Sequence, residues 1–149
     1  MSNDRINWYP GHMAKSRRML SEQLRAVDAV IELVDARAPV ATSNTDLRSL
    51  IRGKARLLVL NKADLADDRE TSRWLEHFRK GGAEAMRFNS TGGRVKEMLA
   101  KIEEATLPAV ERARARGIEK TVRLMVVGIP NVGKSAFINR IKGSAVAKT

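Results

Sequence analysis

Eight residues near the end of the sequence, Gly128-Ile129-Pro130-Asn131-Val132-Gly133-Lys134-Ser135, constrain the fold more than any other feature. They have the spacing G-x-x-x-x-G-K-S, follow directly on the apolar run Val122 to Val127, and precede a helix-period segment from Lys134 to about Ile141. A strand, a glycine-bearing turn and a helix in that order form the unit that wraps backbone N–H groups around phosphate oxygens and aims a helix N-terminus at them. Each residue type has a job in that chemistry. Gly128 and Gly133 permit the tight wrap, Lys134 supplies a point charge to β/γ phosphates, and Ser135 offers a hydroxyl to a Mg²⁺ that bridges the same phosphates. An ordinary glycine turn is the plainer reading, and the strand and helix on either side argue against it.

The rest of the chain alternates apolar runs with helix-period segments, the pattern of a parallel sheet covered by helices on both faces. Four strands are expected: Ala29 to Val34, Arg56 to Leu60, Glu84 to Phe88 and Val122 to Val127, the second and fourth being the most continuously apolar. Helices are expected over Met13 to Val27, Asp46 to Ile51, Arg69 to Lys80, Val95 to Glu104 and Lys134 to Ile141. A length of 149 residues, 43% of them hydrophobic, makes one domain the default. With no cysteine and only His12 and His77, a disulfide scaffold and a zinc cage are excluded. No apolar run approaches the ~20 residues of a membrane span, and the start of the chain has no signal-peptide core, so a cytoplasmic location is expected.

Charge adds a partner class. The chain carries a net +11, and residues 76–149 hold 15 basic against 7 acidic side chains. The densest basic stretch is Arg112, Arg114, Arg116, Lys120 and Arg123 around Gly117. It reads equally as a solvated helix end and as a contact for RNA phosphates.

A phosphate loop alone does not choose its nucleotide. That choice comes from Asn61-Lys62-Ala63-Asp64, which follows the apolar strand at its carboxyl end, where open α/β sheets bind ligands. The Asp64 carboxylate can accept two hydrogen bonds from guanine N1–H and its exocyclic amine, whereas adenine presents an acceptor at N1. As a bare tetrapeptide this is also a strand-to-helix turn capped by Asn and Asp. Asn89-Ser90-Thr91-Gly92-Gly93, after the third expected strand, is placed to close over a base with backbone amides, or to be a plain glycine-rich turn.

The order of these motifs is reversed relative to ordinary Ras-like domains, in which the phosphate loop comes first. With Trp8-Tyr9-Pro10-Gly11-His12-Met13-Ala14-Lys15 near the start and Asp35-Ala36-Arg37-Ala38-Pro39 after the first expected strand, the chain closely resembles the ribosome biogenesis GTPase A (YlqF) family over essentially all its residues. The resemblance implies a three-layer α/β P-loop GTPase fold with a mostly parallel sheet, circularly permuted. It further implies GTP binding and hydrolysis, with GTP/GDP, Mg²⁺ and K⁺, in late assembly of the large ribosomal subunit, an rRNA-rich partner. The family's nucleotide contacts fall on Asn61, Lys62, Ala63 and Asp64, on Asn89 and Ser90, and on Asn131, Val132, Gly133, Lys134, Ser135 and Ala136. Ser135 would take the Mg²⁺ and Asn131 the K⁺, and His12 would orient the attacking water. From the residues alone, a lone His such as His12 is more often a surface or packing residue, and Asp35 and Arg37 either brace the loop or touch ligand.

Family members continue with a Thr-bearing switch, a D-x-P-G motif, two further strands and a helical RNA-binding domain, and the sequence departs from that pattern after Thr149. Residues 1–149 are therefore expected to be a partial GTPase domain, near-inactive in hydrolysis, with Gly143 to Thr149 approaching the switch. On that analogy the strand before the phosphate loop keeps one uncovered apolar edge, through which the chain would self-associate. Two other functions fit parts of the sequence: a nucleotide-independent rRNA-binding module with a vestigial loop, and a P-loop kinase or ATPase, which Asp64 disfavours.

Overall fold

The computed structural model describes residues 6–11, 17–39, 54–89, 94–128 and 132–147. Its elements run β1 (Ile6–Gly11), α1 (Arg17–Arg25), β2 (Ala29–Asp35), β3 (Ala55–Asn61), a single 3-10 turn (Ala63–Leu65), α2 (Asp68–Lys80), β4 (Glu84–Arg87), α3 (Val95–Ala115), β5 (Val122–Val127) and α4 (Lys134–Ala147). The strands form one five-stranded sheet in the order β1-β5-β2-β3-β4, and every neighbouring pair is parallel.

Strand pleating sorts the side chains into three layers. Ala29, Ile31, Leu33, Leu57, Val59, Leu124 and Val126 point to one face, where they pack with Met98 and Ile102 of α3 and Phe137 and Ile141 of α4. The alternate residues point to the other face and split into two clusters: Val30, Met125 and Val127 with Leu24 of α1, and Val34, Leu58, Leu60 and Ala85 with Leu75 and Phe78 of α2. Between those clusters lies Glu32, 1% exposed, its Oε1 accepting from Arg56 Nη2 at 2.7 Å and Nε at 3.2 Å. The expected three-layer, parallel α/β architecture is present.

Local chemistry sets the helix ends. The Asp67 carboxylate caps α2 by accepting from the N–H groups of Arg69 and Glu70, and Thr71, Leu75 and Phe78 form its buried stripe. Beyond Glu104, where its apolar stripe was expected to end, α3 continues for eleven residues and carries Pro108 within it. Its last turn closes in a Schellman arrangement: Gly117, at φ +75, donates to the Arg114 carbonyl, and Ile118 N–H reaches the Ala113 carbonyl at 2.9 Å.

Several expectations change. The first strand, β1, was not anticipated, because Trp8-Tyr9-Pro10-Gly11 has neither alternation nor β-branched residues. It pairs with β5 over six residues, Ile6 opposite Val122 through Gly11 opposite Val127. The β5 edge expected to lie uncovered is therefore covered, which removes the stated ground for self-association. Gly143 to Ala147, in the segment expected to approach the switch, continues α4 as helix. Phe88 follows β4 and Arg17 begins α1, while the expected helix over 46–51 lies outside the described residues.

Candidate functional site

Because all five strands are parallel, the turns following β2, β3, β4 and β5 emerge at one edge of the sheet, and the sequence motifs meet there. Gly128 ends β5 in a space that admits no side chain: an added Cβ would lie 2.7 Å from Val132 Cγ2 and 2.9 Å from the Leu33 carbonyl oxygen. Val132, 2% exposed, anchors the far end of the loop in the core. Gly133 then takes φ +90, a conformation that favours glycine, and α4 starts at Lys134. The first intrahelical bond runs from Phe137 N–H to the Gly133 carbonyl at 2.9 Å, so the amides of Ser135 and Ala136 have no acceptor within the helix. Together with the helix dipole they make an anion site. Burial of the Lys134 ammonium beside it lowers that group's pKa, a cost that a bound anion would offset.

The N-K-x-D turn is fastened residue by residue to three different loops. Asn61, 1% exposed, donates from Nδ2 to the Val132 carbonyl at 2.8 Å, locking the end of β3 onto the phosphate loop. Lys62, in the left-handed region at φ 60, brings Nζ to 3.8 Å from Asp35 Oδ2 at the end of β2. Ala63 N–H donates to the Phe88 carbonyl at 3.1 Å, which ties in the end of β4. The 3-10 turn that follows leaves Asp64 exposed at the rim. Phe88 also meets Phe137 of α4 edge-to-face at 5.2 Å, joining the end of β4 to the helix that follows the glycine-bearing loop.

A cavity of about 250 Å³ opens beside this turn, lined by Ala63, Asp64, Arg87, Phe88, Asn89 and Arg94 among others. That is below the ~300 Å³ of a site enclosing a whole small ligand and suits one part of a larger one, such as a base. Arg87 forms part of its wall while bonded to Asp68 and to Ser72 Oγ of α2. Neither Arg87 nor Arg94 carried a sequence signal, since both sit outside any motif.

Asp35 and Arg37 brace each other. Asp35 Oδ1 accepts from Arg37 N–H at 2.9 Å and Nε at 3.0 Å, and Oδ2 from Nη2 at 2.7 Å. The Arg37 side-chain hydrogen bond, opposed by partial burial and assisted by the Arg37 amide and the Arg37 and Lys62 charges, holds the Asp35 pKa below its ordinary value. The Arg37 pKa is raised, mainly by that same bond, with a smaller contribution from the nearby Asp64 charge. Thus Asn61, Lys62, Ala63, Asp64, Asn89, Val132, Gly133, Lys134, Ser135 and Ala136 share one edge. His12, Ser90 and Asn131 lie outside the described residues. Gly11, the residue before His12, pairs with Val127 at that same edge.

Comparison with known proteins gives a consistent result. Residues 123–149 match the model of a family described as "50S ribosome-binding GTPase". Ribosome biogenesis GTPase A of Bacillus cereus is 44% identical over 146 residues, covering 97% of this chain and 49% of the relative. Mitochondrial ribosome-associated GTPase 1 of Bos taurus is 34% identical over 147 residues, covering 97% of this chain and 44% of the relative. The chain thus spans about half the length of the curated relatives it matches. Among solved structures, GNP-bound YlqF from Thermotoga maritima superposes with a TM-score of 0.66 at 33% identity, over 89% of this chain and 49% of that one. A GDP-bound YlqF gives 0.65 at 34%, over 85% and 48%.

With its base-side turn early in the chain and its phosphate loop late, both on one edge of a parallel sheet, the fold is a circularly permuted P-loop GTPase domain. Over 97% of its own length the chain is similar to ribosome biogenesis GTPase A (YlqF) proteins.

Proposed function

We propose that this chain binds guanine nucleotide at the carboxyl edge of its sheet, and that the protein it represents hydrolyses GTP while assisting assembly of the large ribosomal subunit. The observation that carries the reading is the bond from Asn61 Nδ2 to the Val132 carbonyl at 2.8 Å, which makes the base-side turn and the phosphate loop one unit. A ligand with a base at one end and phosphates at the other fits such a unit. Asp64 accepts from the N1–H and exocyclic amine of guanine, and Asn89 and Ser90 flank the base. Asn131 to Ala136 wrap the phosphates, with Lys134 as counter-charge. The Ser135 hydroxyl, exposed in the first turn of α4, is the oxygen donor that Mg²⁺ takes, and Asn131 is the candidate for K⁺. When bound, the divalent ion would neutralise charge on the β and γ phosphates. His12, the residue after Gly11 in the sequence, is the candidate to orient the attacking water. A large-subunit precursor, rich in rRNA, is the partner suggested by the relatives' names and by the net +11 charge, with the cytoplasm as the compartment.

Base exchange tests the reading. Asp64→Asn replaces an acceptor by an amide that can donate to a C2 carbonyl, so preference should move from guanine toward xanthine nucleotides. An unchanged GTP-to-XTP affinity ratio removes Asp64 as the base reader. Absence of guanine nucleotide binding by the unsubstituted chain would favour the nucleotide-independent rRNA-binding module instead.

A further inference from the structure

We propose that the opposite edge of the sheet, where β2, β3 and β5 begin and α3 ends, is a second binding surface, and that it holds an RNA phosphate backbone. The proposal rests on the rRNA partner suggested above and assigns it a place. The two edges are separated by the length of the strands, about 20 Å. A polyanion bound at this surface therefore leaves the nucleotide edge open.

The charges here are concentrated by the fold as well as by the sequence. Residues 105–123 hold five basic and two acidic side chains, and Arg112, Arg114, Arg116 and Arg123 are all exposed, as is Arg25 at the end of α1. Asp28, just before β2, is already engaged: Lys120 Nζ lies 3.1 Å from Oδ1, and Arg123 N–H donates to Oδ2 at 2.8 Å. Acidic residues on this side also include Glu111, Glu119, Glu22 on α1 and Glu84 at the start of β4, whose Oε2 lies 3.5 Å from Lys101 Nζ, and all four are exposed. Helix-dipole compensation accounts for Arg112 and Arg114, which lie in the last turn of α3. It does not account for Arg116 beyond the helix end or for Arg123 on β5.

Shape agrees with charge. Pro108 and Arg112 on α3 and Arg116 at its C-cap succeed one another at four-residue spacing, and the first two line a cavity of about 350 Å³ between the helix and the sheet edge. Its other walls include Val27, Ala55 and Lys54, whose ammonium is held at the rim by the Val27 carbonyl at 2.9 Å. A recess of mixed polarity, with the paired Asp28 in its wall and a guanidinium and an ammonium at its rim, suits a sugar or unstacked base flanked by phosphates, and guanidinium forks match phosphate oxygens.

The test compares the unsubstituted 149-residue chain with an Arg116→Glu/Arg123→Glu pair and an Arg116→Lys/Arg123→Lys pair. Affinity for large-subunit rRNA and for poly(U) is measured at several salt concentrations, and GDP affinity and thermal stability are measured on the same samples. Glutamate should weaken RNA binding by about tenfold or more and flatten its salt dependence by a slope of about 1.5, while lysine restores most of both and GDP affinity stays unchanged. If the glutamate pair binds RNA as well as the original, this surface is wrong while the rRNA reading stands. If the original chain binds GDP but no RNA, the rRNA reading fails and this surface with it. Retention of an acidic protein in place of RNA would likewise overturn the proposal.

Discussion

Lys62 sits at φ 60 and ψ 34, a conformation that costs a non-glycine residue roughly 1 to 2 kcal/mol. Its ammonium is drawn to Asp35, so the ion pair and the strained backbone define one turn, and that turn puts Asp64 at the rim. Asp35 is in turn fixed by three hydrogen bonds from Arg37. The sign of its pH dependence follows. A carboxyl whose folded pKa lies below the unfolded value near 3.8 contributes stability that is fully present above that value and lost as pH falls through the folded pKa. Asp35→Asn should therefore be less stable than the original chain at neutral pH, with the gap narrowing from about pH 4 downward. Urea midpoints across the acid range decide it, and a gap independent of pH would show that the ion pair is not what the asparagine removes.

At the scale of elements, β3 and the phosphate loop are coupled through Asn61, and Gly133 controls the distance between them. A Cβ at Gly133 would stand 2.7 Å from Asn61 Nδ2, on a residue already at φ +90. Gly133→Ala should keep the sheet but disturb the Asn61 bond and the start of α4, weakening GDP binding by about tenfold, the equivalent of a 1 to 2 kcal/mol backbone penalty. Calorimetric GDP affinity equal to that of the original chain would show that the bridge can relax without cost. Both glycines of the loop, and all four residues of the base-side turn, were readable in the sequence because their spacing is the chemistry. What joins them was not. Phe88 and Val132 contribute backbone carbonyls, which any residue supplies, and Arg87 and Arg94 reach the cavity only because β4 lies beside β3. The α3 continuation was equally hidden, since Pro108 lacks the N–H that would bond the Glu104 carbonyl, whereas Ala113, buried beyond it, packs the continuing helix.

The molecule as a whole is a sheet whose central strands are buried on both faces and whose outer strands are β1 and β4. The expectation of an open β5 edge failed because β1 completes it, using a segment whose Pro10 has no N–H to give. Proline is tolerated there because a parallel edge strand turns alternate N–H groups toward its neighbour and away from it. If Pro10 faces outward, Tyr9 N–H faces β5. Two substitutions separate backbone from side chain: Tyr9→Ala removes the ring and keeps the N–H, and Tyr9→Pro removes both. Tyr9→Pro should cost about 1 to 3 kcal/mol more than Tyr9→Ala, because it leaves an acceptor on β5 without its partner. It should also introduce concentration-dependent association in sedimentation velocity, as the freed β5 edge pairs with other chains. Because Gly11 pairs with Val127, directly before the phosphate loop, the same variant should lose GDP affinity only if β1 also positions that loop. Equal stability and a monomeric state for both variants would mean that β1 does not protect this edge.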